Sequence, residues 1–64
     1  MSMTLVEVID ALSEREKSRL RVAALMLVYS QERNNGETEH FQRRVDAILN
    51  GWKATAQDVL ICLG

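Results

Sequence analysis

A chain of 64 residues with 8 Lys and Arg against 9 Asp and Glu has a formal net charge of -1, so nothing in its bulk electrostatics draws it to nucleic acid or an anionic membrane. Hydrophobic residues make up 47% and charged residues 27%, which places it with globular rather than disordered chains. The one cysteine, Cys62, excludes an intrachain disulfide, and with His40 as its only companion it is poor material for a zinc site.

These exclusions matter because a chain this short buries only about 60% of the surface its unfolded form exposes. Without a disulfide or a metal, the remaining sources of core energy are oligomerisation or docking on a partner. Three glycines and no proline suit helices better than a turn-rich β fold.

Residues Met1-Ser2-Met3-Thr4 show neither the basic n-region nor the cleavage site of a signal peptide. With one unpaired cysteine, a cytoplasmic location is the expectation. Thr4 and Glu7 have the spacing of a capping box, and Leu5, Val8, Ile9 and Leu12 follow on one helical face. Ser13 and Glu16 form a second box. Either one helix runs over residues 4–33, or a new one begins at Ser13; the box favours a break, whereas the good helix formers that follow do not force one.

From Leu20 to Tyr29 the chain is apolar around nearly its whole circumference. At about 100° per residue the run divides into two faces. Leu20, Ala23, Ala24 and Leu27 lie on one, with Val28 at its edge. Val22, Met26 and Tyr29 lie nearly opposite, with Leu25 beside them. A surface helix needs one apolar face; two imply burial on two sides, which one small chain can hardly supply.

Asn34-Asn35-Gly36 marks a C-cap and turn, placed at residues 34–37, and Thr38 is expected to cap the next helix. Phe41, Val45, Ile48 and Trp52 recur at spacings of 4, 3 and 4, and the seam continues through Thr55, Val59 and Cys62. That register favours one helix over residues 38–63. Asn50-Gly51 as a C-cap, with Thr55 and Asp58 capping a short final helix, is the competing reading. With two continuous helices, each arm would be on the order of 35 to 45 Å long.

The expected fold is all-α: a single helical domain over residues 1–64, an antiparallel hairpin of two long helices. The first is open to a break near Ser13 and the second near Gly51. Two copies would pair into a four-helix bundle. The hairpin core or dimer seam is read as Leu20, Ala24, Leu27, Phe41, Val45, Ile48, Trp52 and Val59.

Arg15, Arg19, Val22, Met26, Tyr29 and Arg33 fall on one helical line at spacings of 4, 3, 4, 3 and 4. Tyr, Met and Arg are enriched at interfaces, so this line is read as a surface for a partner or for a second copy. The basic residues Arg15, Lys17, Arg19 and Arg21 are spread round the helix and interleaved with Asp10, Glu14 and Glu16, as on a solvated face. His40 lacks a nucleophile or orienting carboxylate fixed by the sequence, and Cys62 on the apolar seam reads as a small filler. Trp52 reads as a core or dimer anchor, with too few aromatics around it for a base-stacking platform.

No phosphate loop, nucleophile elbow or helical metal-ligand pair is present in the sequence. The chain therefore reads as a non-enzymatic protein–protein interaction module without cofactor: an adaptor, inhibitor or co-regulator that docks a helical face on a larger protein, and a homodimer outside any membrane. The alternative is a dimeric nucleic-acid-binding transcriptional regulator using Lys17, Arg21, Arg43 and Arg44.

Overall fold

The structure, a computed structural model, describes residues 4–34 and 36–64. It is all-helical among those residues, with α1 at Leu5–Asp10, α2 at Glu14–Arg33, α3 at Thr38–Ile48 and α4 at Ala56–Leu63. Four helices thus replace the two long ones expected. Residues 1–3 and Asn35, at the centre of the expected turn, lie outside the described residues.

The break at Ser13 is local chemistry. Ser13 takes an extended backbone, φ -68 and ψ 164. Its Oγ accepts from the Glu16 amide at 3.2 Å, and its own amide donates to Glu16 Oε1 at 3.0 Å. The Ser13 and Glu16 amides are thus satisfied without a preceding helical turn, which favours ending α1 at Asp10 and starting afresh at Ser13. Thr4 and Glu7 make the same reciprocal pair ahead of α1, at 3.3 and 3.4 Å. At the far end of α2, Asn34 sits in the left-handed region, φ 51 and ψ 47, and donates its amide to the Ser30 carbonyl at 2.8 Å.

Two expectations about the second half are corrected. Thr38 does not cap α3: Glu37 holds the N-cap position, without a side-chain cap hydrogen bond, and Thr38 is the first helical residue. The Thr38 hydroxyl lies 3.2 Å from that of Ser30, a residue buried under α3, and so ties α2 to α3. The continuous helix over residues 38–63 is also not formed.

Asn50 and Gly51 are consecutive left-handed residues, φ 56 and φ 86. The Gly51 amide donates to the Asp46 carbonyl at 2.8 Å and the Asn50 amide to the Ala47 carbonyl at 3.2 Å. This is the double bond pattern of a Schellman ending, which satisfies the last carbonyls of α3. Thr55 then opens α4 by accepting from the Asp58 amide at 3.1 Å. The second arm therefore falls far short of its expected length: at 1.5 Å per residue, α3 is about 16 Å long.

The heptad spacing survived the break because α3 and α4 both pack on α2 and both turn apolar residues toward it. Leu20, Ala23, Ala24 and Leu27 of α2 are buried together with Val45, Leu49, Ala56 and Val59, and Ile9 of α1 closes the end of this core against α4. Phe41, Ile48, Trp52 and Cys62 are half-buried against it. One apolar face of α2 is thus covered within a single chain.

Candidate interaction surface on helix α2

The other face of α2 is not covered. Because the helix runs unbroken from Glu14 to Arg33, the six residues of the predicted line share one side of it. Val22 is 61% exposed, Met26 38% and Tyr29 48%, and Leu25 beside them is 52% exposed. Soluble single chains seldom leave four neighbouring large apolar side chains open to water without a use for them. Arg15, Arg19 and Arg33 are exposed at the two ends of this patch. The Arg33 guanidinium lies over the Tyr29 ring, 4.9 Å from its centroid, which holds both side chains against the helix.

Beside the patch, α2 and α3 leave a groove of about 530 Å³ lined by Ser18, Arg19, Val22, Ala23, Met26, Phe41 and Arg44. A smaller recess of about 180 Å³ along the same seam is lined by Arg19, Arg44, Ala47 and Ile48. Arg19 from one helix and Arg44 from the other therefore border both. No carboxylate lines either of them.

Sequence reasoning placed Arg44 among possible nucleic-acid contacts and Phe41 in the seam, and did not bring them to Val22 and Met26. The available signal was positional: Arg44 lies three residues after Phe41 and one before Val45, so it sits at the edge of the buried face of α3.

The remaining basic residues are differently engaged. Lys17 pairs with Glu14 at 3.7 Å. Arg21 Nη2 donates to the Leu63 carbonyl at 3.2 Å, capping the last turn of α4. Arg43 pairs with Glu39 one turn earlier on α3. Of the four residues read as possible nucleic-acid contacts, only Arg44 has neither an ion pair nor a hydrogen bond among the described residues. Glu16 has its carboxyl held below the ordinary glutamate range, first by the Ser13 backbone amide, then by the Ser13 hydroxyl, with a smaller contribution from Arg19.

His40 is exposed, edge-on to Phe41 with ring centroids 5.0 Å apart. Trp52 borders a second apolar recess of about 440 Å³, where Val8 and Leu12 of the first segment meet Ile48, Leu49 and the Gly51 turn. Among the described residues no group of His, Cys, Asp and Glu is placed to hold a metal ion, and no helix is long and apolar enough to cross a membrane. No family model, curated protein or solved structure matches the chain.

Proposed function

We propose that this chain is a small, non-enzymatic, cytoplasmic interaction module that lays the outward face of α2 on a larger protein and alters that protein's activity, as an adaptor, inhibitor or co-regulator. One observation carries the reading. The core is complete on one side of α2, while Val22, Leu25, Met26 and Tyr29 stay open on the other. A patch of Met, Tyr and Leu rimmed by arginine has the composition of an interface centre with its rim.

Pairing of two copies into a larger bundle, the expectation drawn from chain size, would compete for this same face. The Leu20–Leu27 side of α2 is already covered by α3 and α4 of the same chain, which leaves the outer face for either occupant.

The test is recovery of partners from lysate by the wild-type chain and by Met26→Glu. A partner retained by the first and lost by the second is expected. No reproducible partner, or equal retention by both, would overturn the reading.

A further inference from the structure

The chemistry of the α2–α3 groove narrows the partner. Its floor is apolar, formed by Val22, Ala23, Met26 and Phe41, and its polar border carries Arg19 and Arg44. Arg15, one turn before Arg19 on the same line, adds a third exposed cation. Arg15 and Arg44 have no ion pair or hydrogen bond among the described residues, and Arg19 only a weak electrostatic neighbour in Glu16. The site therefore offers apolar burial together with unanswered positive charge, on a chain whose net charge, these arginines included, is -1.

From these features we infer that the groove receives an acidic amphipathic helix of the partner protein, two to three apolar anchors on Met26 and Phe41 with Asp or Glu residues beside Arg15, Arg19 and Arg44. The inference rests on the interaction reading above and specifies its partner.

The dimensions suit a helix. The stretch from Arg15 to Met26 is about 17 Å along the axis, roughly three turns, enough for anchors at i, i+4 and i+7. The charges decide against a second copy. In a two-fold contact this patch would face a copy of itself, so two surfaces that carry Arg19 and Arg44 and no lining carboxylate would be brought together, with like charge on both sides. Nucleic acid would satisfy the cations but would leave the apolar floor without a counterpart.

The probes are two helix-forming peptides of about fourteen residues with identical leucine anchors, one flanked by glutamates and the other by lysines. Binding is followed by amide chemical shifts and by calorimetry at two salt concentrations. The acidic peptide is expected to bind at least about tenfold more tightly, to move the amides of Arg19, Val22, Met26, Phe41 and Arg44, and to weaken with salt. In Arg19→Glu/Arg44→Glu the preference reverses toward the lysine peptide. Both arginines are exposed, and an unchanged urea midpoint confirms that the variant is folded.

Equal affinity for the two peptides, a preference for lysine, no binding of either, shifts confined to another surface, or occupation of the groove by a second copy would each overturn the inference. If one of those results is found while a Met26-dependent partner is still recovered from lysate, the interaction reading stands and the acidic helix falls. If no such partner is recovered either, both fall.

Discussion

Leu27 and Met26 are adjacent in sequence but lie about 100° apart on α2, and the two-faced account requires them to behave oppositely. Leu27 is fully buried between α2 and its neighbours. Truncation to alanine removes its transfer free energy and leaves a cavity, a loss of about 2 to 5 kcal/mol. At the usual 0.05 to 0.15 kcal/mol per residue, a chain of this length has about 3 to 10 kcal/mol in total, so Leu27→Ala consumes a large share of it. For a domain of this size each kcal/mol corresponds to about 4 to 8 °C in Tm.

Met26 is more than a third exposed, and Met26→Glu should stay within about 0.5 kcal/mol of wild type. Urea unfolding read by helix circular dichroism measures both, with an unchanged slope and a midpoint shifted only for Leu27→Ala. A silent Leu27→Ala, or a Met26→Glu that destabilises as much, would refute the assignment of the two faces.

Three further outcomes follow from local geometry. Gly51→Ala introduces a Cβ into open space, yet at φ +86 it should cost about 1 to 2 kcal/mol, since the penalty is backbone strain alone; the urea midpoint reports it. Ser13→Ala removes the hydroxyl that caps α2 and should cost about 1 kcal/mol, with reduced protection of the Glu16 amide in hydrogen exchange. Glu16 has a depressed folded-state pKa, so its contribution is present above the unfolded value and is lost as pH falls through the folded one. The stability gap between wild type and Glu16→Gln should therefore be widest near neutrality and close in acid, as followed by urea unfolding across pH.

What the sequence made legible was local. The Thr4–Glu7 and Ser13–Glu16 boxes and the Asn34 ending each depend on residues within one turn, and each forms as its spacing implies. The second arm was harder because two signals disagreed. The seven-residue register through Phe41, Val45, Ile48, Trp52 and Val59 spoke for continuity, and Asn50-Gly51 spoke against it. The register reflected a shared neighbour, α2, rather than a shared helix. Two left-handed residues with a satisfied Schellman ending then decided the local structure.

Leu49 and Ala56 are buried too; each lies four residues after a seam position, Val45 and Trp52, and a strict alternation of 4 and 3 passes them by. The outward line from Arg15 to Arg33 could be drawn from spacing alone. The groove could not, since Phe41 and Arg44 reach Val22 and Met26 only through tertiary packing of α3 on α2.

The most direct test of the open α2 face is absolute mass in solution, by light scattering across a wide concentration range at physiological salt. The account predicts the mass of one chain throughout, with Val22, Leu25, Met26 and Tyr29 left free for another protein. A dimer that forms with concentration and disappears in Met26→Glu would contradict it, by showing that the face is filled by the chain's own copy.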